Sequence, residues 1–460
     1  MKFNYATQPQ NVPVTSLTII VKAEPDLVHE HREPLSSLDL FIPNEDVAVI
    51  FFYHKPKVDF NSMVTTLKKS LADTLVHYYV FAGELVSNDD VTSGELEILC
   101  NNRGVDFTEA SVDLELTDLD LHKPDELIRG QLAPKKTVGN LAVQVTQFLK
   151  CGSVLLTCMF DHRVADAYST NMFLTSWSEN ALSKPLITYS PPSRMIFTPR
   201  SYLRPGSDVE SFYSPISSLP PSYPKPDQSP TSRVYHIAAD QIINLQTAAS
   251  TEASRRTKLE SFSAFLWQLL AKSSTREDLV TKMSIVVDGR SRLASVYDSQ
   301  VCTTYFGNVI AAPYGSETVE SISHKPLNWV GERVAEVIKA AANKDHFLDL
   351  IDLVETIRPD TTIPTVFWPR SNDGPKVVVS SGLRFPVDKI DFGFGKPILG
   401  FYCLPWAVDS GYVMPAPIPA GNGDWVVYMH LPKHQLEFIE KEASHVIKPF
   451  TFDRLVVGSL

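Results

Sequence analysis

One run constrains this chain more than any other: Met159-Phe160-Asp161-His162-Arg163-Val164-Ala165-Asp166-Ala167. The apolar stretch Val154-Leu155-Leu156-Thr157-Cys158-Met159-Phe160 stops abruptly at Asp161-His162. A helix-like pattern follows, with Ala165, Ala167, Met172, Phe173 and Trp177. The succession reads as strand, turn, helix. A strand that delivers a histidine onto a turn holds an imidazole rigidly beside a cavity. Histidine titrates near neutrality, so it can take a proton from an alcohol and return it later. The aspartate four residues on is pointed elsewhere by the helix and reads as an anchor for the turn. Alone, His-x-x-x-Asp specifies little, because a buried, hydrogen-bonded histidine produces the same spacing. The rest of the chain carries the argument.

At 460 residues the chain exceeds what one core usually supports, so two domains are expected. A hydrophobic content of 43% and a charged content of 21% are those of an ordinary globular protein. The net charge of −11 argues against general nucleic-acid binding, which wants a basic face. A local basic cluster could still bind phosphates. The first residues lack an apolar core of signal-peptide length, and no run has the apolar length of a membrane span. Cysteines 100, 151, 158, 302 and 403 are odd in number and unpaired in spacing, which suggests reduced thiols and the cytoplasm. The closing Val457-Gly458-Ser459-Leu460 is not a peroxisomal address.

The periodicity predicts a buried strand over Val47–Tyr53 and a helix from Met63 to Leu75, with Met63, Leu67, Leu71 and Leu75 at four-residue spacing. Leu141–Leu149 and Ser153–Phe160 read as a hairpin whose turn is Lys150-Cys151-Gly152 and whose end is the histidine. Prolines crowd the stretch between 185 and 230 and deny it continuous helix or sheet. The expected division is residues 1–185, a crossover at 186–232, and residues 233–460. Beyond the crossover, strands are expected at Val234–Ile237, Met283–Val287 and Val377–Ser381. Helices are expected from Ser261 to Ala271 and from Gln435 to Ile447, and a turn at Pro419–Asp424.

A second run, Ser380-Ser381-Gly382-Leu383-Arg384-Phe385-Pro386, continues to Asp391-Phe392-Gly393-Phe394-Gly395-Lys396-Pro397. With the histidine turn, it resembles the BAHD family of plant acyl-CoA-dependent acyltransferases. That family carries His-x-x-x-Asp mid-chain and Asp-Phe-Gly-Trp-Gly towards the C-terminus. Pro34-Leu35-Ser36-Ser37-Leu38-Asp39, Ala82-Gly83-Glu84-Leu85, Val287-Asp288-Gly289-Arg290-Ser291-Arg292-Leu293 and Tyr305-Phe306-Gly307-Asn308 extend the resemblance over nearly the whole chain. Within the family the chain is most like the coniferyl alcohol acyltransferases, through Leu38-Asp39-Leu40, the run from Cys100 to Phe107, and Asp161 to Ser169.

The resemblance implies an α/β fold of two chloramphenicol-acetyltransferase-like domains, each a mixed sheet covered by helices, with a channel between them. It implies acyl-CoA as co-substrate, a small-molecule alcohol as acceptor, no bound cofactor, no metal and a monomer. His162 is then the general base, since an alcohol needs one to attack a thioester. Asp166 is expected to pair with Arg290 across the domains, pinning the histidine turn, with a carboxylate relay to His162 as the alternative. Asp391, Gly393 and Gly395 are expected to shape a bend, with the aspartate bonding backbone. Phe394 replaces the family's usual tryptophan and keeps its aromatic packing. Gly382 stands where hydroxycinnamoyl relatives often carry tryptophan, leaving Ser36, Ser380 or a backbone N–H as oxyanion donor. Ser381 and Arg384 are further substrate-contact candidates, although Arg384 also reads as a structural or surface residue. Arg255, Arg256 and Lys258, at a helix start, are candidates for the CoA phosphates, with a solvated loop as the plain alternative.

The function expected is acyl transfer from acyl-CoA to a small alcohol, a phenylpropanoid alcohol such as coniferyl alcohol with acetyl-CoA. One alternative is a hydroxycinnamoyl- or aroyl-CoA transferase acting on shikimate, an amine or an alkaloid alcohol. Another is an inactive relative acting as a binding partner.

Overall fold

The computed structural model describes residues 14–25, 29–88, 95–125, 132–184, 193–219, 230–358, 360–368, 372–404 and 410–456. Two large mixed sheets organise the chain. The first has six strands, in the order Thr15–Val21, Val105–Val112, Leu141–Phe148, Val154–Asp161, Asp46–Tyr53 and Leu399–Cys403. Asp46–Tyr53 is apolar on both faces and nearly all buried, as a central strand must be. The expected hairpin forms: Leu141–Phe148 and Val154–Asp161 pair antiparallel, and the Gly152 N–H donates to the Phe148 carbonyl at 2.7 Å. Gly152 takes φ +72°, a conformation that suits glycine at a tight turn. The helix expected from Met63 runs Phe60–Leu75, begun by the Asp59 side chain, which accepts from the Ser62 N–H.

The second sheet runs Tyr314–Thr318, Val280–Ile285, Asp373–Val379, Gly411–Pro417, Trp425–Pro432, Pro230–Ile237 and Lys448–Pro449. Its side chains alternate strictly between two cores. Val377, Val379, Val413, Val427 and Met429 face helices Ala239–Ala249, Lys258–Lys272 and Leu327–Ala341. Val378, Tyr412, Met414, Val426 and Tyr428 instead join the apolar cluster of the first sheet. The period of two thus lays one face of the second sheet against the N-terminal half. The closing helix ends at Glu442, earlier than expected, because the chain turns back. Ala443, Val446 and Ile447 enter the core, and Lys448-Pro449 pairs with Tyr235 and His236.

Two connections cross between the halves. Leu399–Cys403, late in the chain, completes the first sheet by pairing antiparallel with Asp46–Tyr53. The proline-rich tract contributes structure of its own, namely a helix at Ser207–Phe212 and a strand at Tyr213–Pro215 that pairs with Thr362–Pro364. The expected boundary at 185 lies outside the described residues. Among the described residues, no helix is long and apolar enough to cross a membrane.

Candidate active site

His162 follows the last residue of Val154–Asp161, and its N–H donates to the Glu45 carbonyl at 3.0 Å. The side chain is half-buried. Its Nδ1 lies 3.2 Å from Oδ1 of Asn308. The Asn308 Nδ2 donates to the His162 carbonyl and to Asp39 Oδ1, each at 2.9 Å. An amide whose nitrogen serves two acceptors must turn its oxygen to the ring. That oxygen can only accept, so Nδ1 carries the proton and Nε2 keeps its lone pair. Nε2 has no hydrogen-bond partner among the described residues. A half-buried imidazole with a free basic nitrogen and an oriented opposite nitrogen is equipped to receive a proton.

Asp166 is turned away from the ring. Its carboxylate caps helix Ala167–Ala181 by accepting from the Ser169 N–H. It meets Arg290 through two hydrogen bonds, at 2.7 and 3.1 Å, and accepts from the Val309 N–H at 3.0 Å. Both side chains are buried. Burial alone would raise the Asp166 pKa, but Arg290 and the N–H donors hold it below the usual carboxylate range. Arg290 also donates to Ser169 Oγ and the Gly307 carbonyl, and its guanidinium lies 4.3 Å from the Tyr168 ring centroid. The pair therefore fixes the segment that carries Asn308, one residue from its bond to Val309.

Asp391, Gly393 and Gly395 form a closed turn. Asp391 accepts from the N–H groups of Gly393 and Gly395, at 2.8 and 3.1 Å. Both glycines have positive φ, +94° and +111°. Phe394 stacks on Phe392 and meets Tyr53 edge-on, while Phe392 packs on Trp177. The motif thus locks onto the helix behind the histidine turn.

The remaining candidates are dispersed. Ser36 is buried, and its hydroxyl donates to Asp39 at 2.6 Å, so its one proton is committed. Ser380 bonds the Val413 carbonyl through its N–H, and Ser381 Oγ faces the Leu383 N–H at 3.5 Å. At Gly382 an added Cβ would lie 3.1 Å from the Phe385 ring, so a large side chain requires Phe385 to move. Arg384 is exposed. Arg255 and Arg256 bond Gln246 and Ser250 in the outer helical layer. Lys258 opens a helix whose N-terminal turn is closed by a Thr257–Glu260 capping box, which takes the N–H groups of Thr257 and Glu260. His31, Glu33 and Cys100 lie within 4.8 Å of one another, but Glu33 accepts from Tyr79 and His31 Nδ1 bonds the His29 carbonyl. Ordinary hydrogen bonds account for that trio.

Three residues beside His162 had no role assigned from sequence: Asn308, Asp39 and Arg194. Asn308 and Asp39 stand inside the runs that carried the resemblance. Arg194 is hidden in the proline-rich tract.

Comparison with known proteins identifies relatives along nearly the whole chain. The chain is 27% identical over 427 residues to shikimate O-hydroxycinnamoyltransferase of Nicotiana tabacum, covering 88% of this chain and 93% of the relative. It is also 27% identical over 448 residues to putrescine hydroxycinnamoyltransferase 3 of Oryza sativa subsp. japonica, covering 91% and 94%. The crystal structure of F. graminearum TRI101 complexed with ethyl coenzyme A shares the fold with a TM-score of 0.74 at 16% identity, covering 91% of this chain and 99% of that one. That of vinorine synthase gives 0.68 at 18% identity, covering 95% and 99%. The Transferase family profile matches residues 10–446, and the chain belongs to this family, the acyl-CoA-dependent BAHD acyltransferases that its motifs resemble.

Proposed function

We propose that this acyltransferase moves an acyl group from acyl-CoA to the hydroxyl of a small phenylpropanoid alcohol, such as coniferyl alcohol with acetyl-CoA, with His162 as general base. The observation that carries this reading is the tautomer that Asn308 sets, which leaves Nε2 with its lone pair and, among the described residues, no hydrogen-bond partner. Nε2 takes the proton of the acceptor hydroxyl as the oxygen attacks the thioester carbonyl. The tetrahedral intermediate collapses, the C–S bond breaks, and His162 returns the proton to the departing thiolate. Both substrates meet at one imidazole, so the reaction runs through a ternary complex without an acylated residue. Asp166 and Arg290 serve by holding the turn and the Asn308 segment.

A second reading is a hydroxycinnamoyl- or aroyl-CoA transferase with a different acceptor. It is favoured by relatives named for shikimate and for putrescine, the latter an amine. The intact, oriented histidine weighs against an inactive binding partner. A matrix of acetyl-, hydroxycinnamoyl- and benzoyl-CoA against coniferyl alcohol, shikimate and putrescine, read by mass spectrometry, separates the readings. Acetyl ester formation is expected, and amide formation would favour the second. His162→Ala should lower turnover by about 10² to 10⁴ with the fold intact. Near-normal turnover in that variant would remove the general-base assignment.

A further inference from the structure

Asp39 lies one hydrogen bond behind Asn308 and is fully buried. Its Oδ1 accepts from the Asn308 backbone N–H and from Asn308 Nδ2, each at 2.9 Å. Its Oδ2 accepts from the Ser36 N–H and hydroxyl and forms an ion pair with Arg194 at 2.9 Å. Arg194 is equally buried. It also donates to the carbonyls of Val164, two residues past His162, and Phe306, two residues before Asn308. A buried charge pair costs solvation, and this one joins three distant segments at the candidate base. Burial opposes the charge on Arg194, yet Asp39 keeps its pKa above the ordinary guanidinium value.

We propose that Asp39, held by Arg194, is a positioning residue that selects the tautomer of His162 through Asn308. A carboxylate can only accept hydrogen bonds. The Asn308 amide must therefore present its NH₂ to Asp39 and its oxygen to Nδ1. The ring must place its proton on Nδ1, and Nε2 is left basic. Without the carboxylate, only the His162 carbonyl still holds the Asn308 NH₂; an amide that rotates out of that single bond turns its NH₂ to the ring and favours the lone pair on Nδ1 and the proton on Nε2. That ring cannot act as base towards an acceptor at Nε2. The inference deepens the general-base reading of His162 and rests on it.

The test is ¹⁵N NMR of the full-length chain labelled at histidine. Its 12 histidines are sorted by difference against His162→Gln. The wild type should show His162 protonated on Nδ1, and a ring protonated on Nε2 would overturn the proposal outright, whatever the variants do. Asp39→Asn should populate the other tautomer and lower kcat by about 10²-fold, short of the ~10⁴ seen when a triad aspartate is neutralised. KM for both substrates should stay within about twofold, because ground-state binding is untouched. The conservative variant Asp39→Glu keeps an acceptor-only group behind Asn308, and it should return the Nδ1–H tautomer. An Asp39→Asn spectrum identical to wild type, or an Asp39→Glu variant that leaves the tautomer mixed, would defeat the proposal. Failure of the general-base reading looks different: His162→Gln would turn over normally while the wild-type tautomer stays as described.

Discussion

At the scale of residues, the Asp166–Arg290 pair holds the histidine turn with charge that is buried and directed at the protein itself. Arg290 is 2% exposed and donates to Asp166, Asp288, Ser169 and Gly307. Removing either partner strands a buried charge, so Asp166→Ala and Arg290→Ala should each cost about 3–5 kcal/mol. The double variant should lose less than the sum of the two, since no lone charge remains. Urea unfolding of the four proteins measures this, and strictly additive losses would contradict the coupling. His162, Asp166 and Arg290 were legible in sequence because each stands in a motif that names it. The linkage His162–Asn308–Asp39–Arg194 was not. Its bonds close across 146 and 269 positions of chain, and no local pattern reports such a closure. Ser36 was legible only as a free hydroxyl, and the carboxylate that takes its proton is visible only in three dimensions.

At the scale of elements, periodicity identified those strands and helices whose apolar residues recur regularly. It failed where structure rests on tertiary contact alone. Prolines argued against regular structure between 185 and 230, yet Ser207–Phe212 and Tyr213–Pro215 form there because helix Lys344–Ile357 and strand Thr362–Pro364 give them a surface to pack on. His346 lies at that contact, buried between Phe212, Tyr213 and Phe347. Burial pushes its pKa down to about 4, against the opposing pull of Asp208. The unfolded chain binds this proton below about pH 6.5, and the folded one only near pH 4. Protons thus favour unfolding across that window, and stability should fall as pH drops from 6.5 to 4 and level off below. The contribution is of order 3 kcal/mol. His346→Leu should flatten this part of the stability–pH curve, measured as the difference from wild type. An unchanged slope between pH 6.5 and 4 would show that His346 titrates freely.

At the scale of the molecule, the two sheets are not independent bodies. One apolar cluster takes residues from both, and Leu399–Cys403 lies in the sheet of the opposite half. The chain should therefore unfold in one calorimetric transition despite its two-domain plan. Phe401 is buried on the exchanged strand, and Phe401→Ala should cost about 3–5 kcal/mol. It should lower the single transition without splitting it, and two resolved transitions would count against the shared core. The two-domain plan itself was legible from length and motifs. The exchange was not, because a five-residue apolar strand carries no sign of which sheet it joins. The exchange also has a consequence for synthesis. A ribosome delivers Asp46–Tyr53 long before residues 399–403, so the nascent N-terminal half waits with an apolar strand edge unpaired. During that interval the growing polypeptide is a template for its neighbours on the same message. Its yield in a cell is then governed by how quickly translation and chaperones close that edge.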